Sequence, residues 1–195
     1  MSEAEERHTL LGHDGKTKLL LFVNRARMAD YNQAVALAAN AIPNPALVRQ
    51  PAFRPGGAVN LEQGFTDFLG GFMRLSLNDE SKEAFEFTEI NRSLALGLSL
   101  KGASWGRGDD TVAIAFANNA LSGAAQNYFA RGGIGILIGD GRLNYGTENI
   151  VESYYSARLA DELSAGMDYQ FIANPAYNRD RGPVSVLSVR LHAEF

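Results

Sequence analysis

Polar and apolar residues alternate with a period of two along much of the chain, and the clearest run is the last. Leu187, Val189, Leu191, Ala193 and Phe195 share one face, while Ser188, Arg190, His192 and Glu194 share the other. Successive side chains of a strand point to opposite faces, so this spacing predicts a β-strand over 184–195 with one apolar and one polar side. The same period recurs upstream. Met167, Tyr169, Phe171 and Ala173 oppose Gly166, Asp168, Gln170 and Asn174; Val151, Ser153, Tyr155, Ala157 and Leu159 oppose Glu152, Tyr154, Ser156 and Arg158. A tight turn over 160–164 joins these two runs into a hairpin. Val112, Ile114 and Phe116 alternate with Ala113, Ala115 and Ala117, and the Leu94, Leu96, Leu98, Leu100 row alternates with Ser93, Ala95, Gly97 and Ser99; a turn over 104–110 lies between. Gly71, Met73, Leu75 and Leu77 oppose Phe72, Arg74, Ser76 and Asn78, after a short turn at Thr66 and Asp67 and a weaker strand over 59–63. The first clear strand covers 17–28, where Leu19, Leu20, Leu21 and Phe22 blur the two faces, and 8–12 reads as the tail of one more strand. The pattern gives roughly eight strands plus that remnant.

Proline placement agrees with this map: Pro43, Pro45, Pro51 and Pro55 fall in a long connection over 29–57, and Pro175 and Pro183 bound another. None then interrupts a strand interior, where proline would remove a ladder hydrogen bond. The connections over 29–57 and 121–145 carry helix-like pieces at 31–41 and 122–131. Long loops at one end and tight turns at the other are the asymmetry of outer-membrane barrels, whose short turns face the periplasm. A strand that ends on an aromatic with a charged inner row also resembles the barrel-assembly signal of bacterial outer-membrane proteins. On that reading the turns near 160, 104–110 and 66–67 lie on the side where Phe195 ends.

Composition narrows the classes. A length of 195 residues suits one domain. No run approaches the eighteen or so uncharged apolar residues of a membrane helix, so any crossing must use strands, which a mean hydropathy of −0.15 does not exclude. A net charge of −4 and a pI near 5.4 argue against nucleic acid as a partner, because phosphate binding needs a basic surface. Zero cysteines remove disulfides, thiol catalysis and thiolate metal sites together. The start, Met1 to Arg7, is acidic and carries no export signal, which a barrel protein needs. The expectation is a chain that begins after a processed segment or a fragment of a longer protein, or else a membrane reading that is wrong.

Four stretches carry a family resemblance: Phe87 to Gly102 (FTEINRSLALGLSLKG), Trp105 to Val112 (WGRGDDTV), Gly139 to Tyr145 (GDGRLNY) and Asn174 to Pro183 (NPAYNRDRGP). With them the chain resembles the carbohydrate-selective porins of the OprB type over nearly its whole length. The resemblance implies an all-β, antiparallel transmembrane barrel and passive diffusion of small sugars across the outer membrane of a Gram-negative bacterium, with no enzyme activity and no cofactor. Such porins have about sixteen strands, so residues 1–195 correspond to a single barrel region, the C-terminal half of a longer porin. The implied partners are outer-membrane lipid, small carbohydrates and the barrel-assembly machinery, the last through the strand ending in Phe195.

Other chemistry has little support. The glycine run Gly132 to Gly141 fails the phosphate-loop spacing and lacks its Lys-Ser/Thr end, so a structured loop is the better account. His8, His13 and His192 are scattered singly, which disfavours a zinc site, and no Gly-x-Ser-x-Gly elbow marks a nucleophile. The functional candidates are the polar-face residues Arg74, Glu152, Tyr154, Arg158, Asp168, Gln170 and Arg190. Sugar hydroxyls both donate and accept, so a conduit for them uses Arg donors, carboxylate acceptors and an aromatic platform such as Tyr154. Against this stands the simpler reading that these residues merely solvate a polar lumen. Two other architectures share the pattern: a complete eight-stranded barrel serving as an anchor or adhesin, and a soluble lipocalin-like binder with the apolar face inward. Ala95, Gly97, Ala113, Ala115 and Ala117 are too small to plug the interior of the former.

Overall fold

The computed structural model describes residues 1–79, 81–84, 89–136 and 138–194. Phe195, Phe87 and Leu137, on which parts of the reading above rest, lie outside the described residues. Among the described residues nine strands follow one another in chain order, each pairing antiparallel with the next: β1 (Ser2–Leu10), β2 (His13–Met28), β3 (Gln50–Gly64), β4 (Leu69–Asn78), β5 (Arg92–Gly102), β6 (Arg107–Ala120), β7 (Glu148–Ala160), β8 (Leu163–Ala173) and β9 (Val184–Ala193). Two short helices, α1 (Tyr31–Ala38) and α2 (Gly123–Ala130), interrupt the long connections. Asp30 and Ser122 cap them, each accepting a hydrogen bond on its side chain from a first-turn amide.

Three expectations need correction. The remnant at 8–12 is the end of a nine-residue strand that pairs with β2 from Ser2 to Leu10. It was illegible because Ser2 to Arg7 carries no long apolar residue to mark a face. The weak strand at 59–63 is the end of the fifteen-residue β3, so Pro51 and Pro55 lie within a strand and the connection before it ends at 49. Both prolines are tolerated for a visible reason. The carbonyl of Pro55 accepts from Asp79 N at 2.8 Å, so its backbone groups aim toward the β4 side, away from the β2 ladder, and Pro51 shares that parity. Finally, the turn expected over 104–110 is shorter, and β6 already begins at Arg107, with Gly106 at φ 77° closing the turn.

Register settles the faces. Leu19 pairs with Val59, Val59 with Leu75, Leu75 with Leu94; Leu96 pairs with Phe116 and Phe116 with Val151. The apolar residues therefore form one continuous outer surface, extended by Met167, Tyr169 and Phe171 and then Leu187, Val189 and Leu191. Leu187, Val189 and Leu191 are all exposed, as are Leu96, Leu98, Met167 and Tyr169, and a contiguous apolar surface of this extent is that of a membrane-facing or partner-facing side. In β2 the faces blurred because Leu20 and Phe22 are inward and also apolar; Phe22 lies over Gly56, where an added Cβ would come within 2.3 Å of its ring.

The buried apolar cluster is not under the sheet but at its long-loop end. Tyr31 and Val35 of α1 meet Ala125, Tyr128 and Phe129 of α2, with Leu121, Leu143 and Tyr177. Tyr31 stacks on Tyr128 with ring centroids 4.7 Å apart, and Tyr128 meets Phe129 edge-on at 5.0 Å. A buried polar chain fastens this cap to the strands. Arg54 Nη2 donates to Asn78 Oδ1 (2.8 Å), Asn91 Nδ2 donates to the same oxygen (3.2 Å), and Ser122 N donates to Asn91 Oδ1 (3.0 Å). The described tight connections, at 11–12, 65–68, 103–106 and 161–162, all lie at the other end, as the alternation of long and short links requires.

Candidate functional site: the inward face

The inward face divides into a charged wall, a small-residue floor and a second polar wall. On the first wall Lys18 Nζ lies 2.8 Å from Glu5 Oε2 and 3.5 Å from Glu3 Oε1, and Arg7 Nε donates to Glu5 Oε1 at 2.8 Å. Next to it Lys16 Nζ sits 2.8 Å from Glu62 Oε2. Glu62 Oε1 accepts from Asn60 Nδ2 (2.9 Å), and Asn60 Oδ1 accepts from Arg74 Nε (2.9 Å). Arg74 also lies over the Phe72 ring, 5.0 Å from its centroid. Strand register explains the row: Lys16 opposes Glu62, Lys18 opposes Asn60 and Asn60 opposes Arg74.

On the floor, Ala95, Gly97 and Ser99 of β5 pair with Ala117, Ala115 and Ala113 of β6. Phe72 leans over Gly97, where an added Cβ would meet its ring at 2.6 Å. The second wall begins at β7. Glu152 pairs with Gln170 and Tyr154 with Asp168; Ser188 pairs with Asp168, and Arg190 faces Gly166. Between the walls runs an open hollow of about 1140 Å³ that takes in Lys16, Glu62 and Arg74 on one side, Ser99 and Ala113 below, and Glu152 and Tyr154 on the other.

Of the seven candidates read from the sequence, Arg74, Glu152 and Tyr154 line this hollow. Asp168, Gln170 and Arg190 share the inward side by register. Arg158 does something different. At the β7–β8 turn, where the register shifts, its guanidinium donates to the carbonyls of Ala160 (3.2 Å) and Asp161. The residues that sequence reasoning missed are Glu3, Glu5, Lys16, Lys18, Asn60 and Glu62. Their signal was present as i, i+2 spacing of charges, Glu3 with Glu5 and Lys16 with Lys18, in segments whose opposite face gave no clean apolar row.

The outer face carries its own polar cluster near the tight turns. Asp110, 1% exposed, accepts from Arg107, from the Tyr155 hydroxyl and from Arg158 N (3.0 Å), while Trp105 Nε1 donates to the Tyr155 hydroxyl oxygen at 3.3 Å. An aromatic pair with polar tips at the rim of an apolar belt is the arrangement of an interfacial girdle.

An apolar outer belt, a polar concave inner face, short turns at one rim and a folded cap at the other define the wall of an outer-membrane β-barrel channel. The family profile described as "Carbohydrate-selective porin, OprB family" matches residues 3–195, and the chain belongs to that family of outer-membrane porins. A solved structure, the high-pH form of Pseudomonas putida OprB, superposes with a TM-score of 0.77 at 20% sequence identity. It covers 99% of this chain, whereas this chain spans only 47% of that one. No curated protein matches the chain.

Proposed function

We propose that this chain supplies about half the wall of an outer-membrane pore through which small carbohydrates diffuse passively, and that it is the C-terminal part of the barrel. The observation that carries the reading is the segregation of an apolar outer and a polar inner face from β4 onward, taken together with membership of the porin family over residues 3–195. Sugars need donors and acceptors close together but no tight binding, since a conduit must release what it admits. The two walls offer Arg74 and Lys16 on one side, Glu152, Tyr154, Asp168 and Gln170 on the other, with Arg190 beyond. The alanine and glycine floor leaves the space between them open to water and solute. The rival of a self-contained small barrel is disfavoured, because β1 and β9 stand at opposite ends of the strand order and do not pair. We further propose that the last strand, with Phe195, is what the barrel-assembly machinery recognises. Planar-bilayer recordings test the conduction reading: the completed barrel should carry ion current that added sugar reduces, and sugar-insensitive current would refute carbohydrate passage.

A further inference from the structure

Toward the long-loop end the outward row of β2 changes chemistry. Leu19, Leu21 and Val23 are followed on the same face by Arg25 and Arg27, both exposed and about 7 Å apart along the strand. Register sets Arg25 opposite Phe53 and Arg27 opposite Pro51 of β3, at the top of the apolar belt. The Arg25 guanidinium carbon lies 5.6 Å from the centroid of the exposed Phe53 ring, which steadies the arginine side chain. Arg27 Nη2 donates to the Arg49 carbonyl at 3.2 Å. Neither Arg25 nor Arg27 makes an ion pair among the described residues, and two carboxylates of the adjoining connections are already taken: Glu83 by Arg49 (2.6 Å) and Asp30 by Lys82 (2.9 Å). At the tight-turn rim, by contrast, Arg107 is neutralised by Asp110.

Two unpaired guanidinium groups directly above a row of aliphatic side chains fit an amphiphile, with a phosphate at the arginines and acyl chains along Leu19, Leu21 and Val23. Arginine suits phosphate because its planar fork makes two parallel charge-assisted hydrogen bonds. Basic residues at a membrane interface also attract anionic headgroups. A free anion would leave the aliphatic row unused, and a neutral lipid would leave the two charges unmatched. Resting on the porin reading above, we infer that Arg25, Arg27 and Phe53 form an outer-surface site for the phosphate of an acylated lipid in the leaflet at the long-loop end.

The test uses the full chain refolded in nonionic detergent micelles, with bound lipid counted by native mass spectrometry. It is titrated with bisphosphorylated lipid A and with the same lipid stripped of its phosphates. Lipid A should bind saturably, and the stripped lipid roughly tenfold more weakly or worse. Arg25→Gln combined with Arg27→Gln should weaken lipid A binding by about ten- to thirtyfold, the weight of two basic groups at an anionic lipid. Lys16→Gln combined with Lys18→Gln removes equal charge from the inward face of the same strand and should leave lipid binding unchanged. Excess inorganic phosphate should not displace the lipid. Equal binding of the stripped lipid, displacement by inorganic phosphate, or a loss in the arginine variant no greater than in the lysine variant overturns the inference and leaves the porin reading standing. The comparison of the two lipids needs no substitution, so it decides even where a variant fails to fold. A chain that stays folded and monodisperse without detergent overturns both.

Discussion

Lys16 Nζ lies 2.8 Å from Glu62 Oε2, and the two residues are direct partners in the β2–β3 ladder. The pair continues through Asn60 to Arg74, so the charge of Glu62 is shared between two cations on the inward wall. Replacing Glu62 by Gln leaves both cations without a carboxylate. Ion preference of the completed pore should shift toward anions, with little change in fold, because partly exposed ion pairs contribute only about 0–1 kcal/mol. Reversal potentials across a salt gradient check this; an unchanged potential would mean that Glu62 does not face the permeating ions.

Leu96 sits mid-strand in the outer row, paired with Met73 and Phe116. Leu96→Arg should destabilise the folded barrel by roughly 2–4 kcal/mol, the cost of a cation near the bilayer midplane. The measurement is urea unfolding in vesicles. Ala95→Arg, one residue away on the inward face, should cost much less.

Asp110 is the hub of the outer girdle, and its carboxylate holds Arg107, Tyr155 and the Arg158 amide. Asp110→Ala should cost on the order of 2–3 kcal/mol, since it orphans hydrogen bonds to a charged group, while Tyr155→Phe removes one partner and should cost about 1 kcal/mol. Heat-modifiable migration reads the order of the two effects. Equal losses would show that Asp110 is not the hub.

Glu89, in the connection between β4 and β5, has a carboxyl pKa pushed up to about 7, chiefly by burial, with Glu83 adding to the shift and the Ile136 amide and Arg54 opposing it. Its Oε2 has no hydrogen-bond partner among the described residues. A carboxyl raised in the fold favours the neutral form, so its stabilising contribution is full below the unfolded value of 4.5 and is lost as pH rises through about 7. The cap should become more susceptible to proteolysis between pH 5 and pH 7.5, by roughly the window those two values define. Glu89→Gln should flatten that dependence.

Much of this architecture was legible in the sequence, and the exceptions have physical causes. From β4 onward one face meets lipid and the other water, and a period of two follows directly; Leu94 to Leu100 and Leu187 to Leu191 are read without ambiguity. In β1 no long apolar residue precedes Leu10, and in β2 Leu20 and Phe22 make both faces apolar, so pattern alone could not place Lys16, Lys18 or Glu5 on a wall. Pro51 and Pro55 argued against a strand because the sequence does not say which way a backbone amide points. Arg158 obeyed the alternation, but the register shift next to it turned its side chain to the turn carbonyls. Composition could not show the aromatic cap, since Tyr31, Tyr128 and Tyr177 come from three separate connections.

The most direct test is the rate of liposome swelling in iso-osmotic glucose, measured on the barrel reconstituted with its completing strands. The account expects swelling with the complete barrel, none with either part alone, and altered sugar rates in Arg74→Ala, Glu152→Ala and Asp168→Ala barrels that still assemble. A complete barrel that admits ions but no glucose, or sugar rates indifferent to all three substitutions, would contradict it.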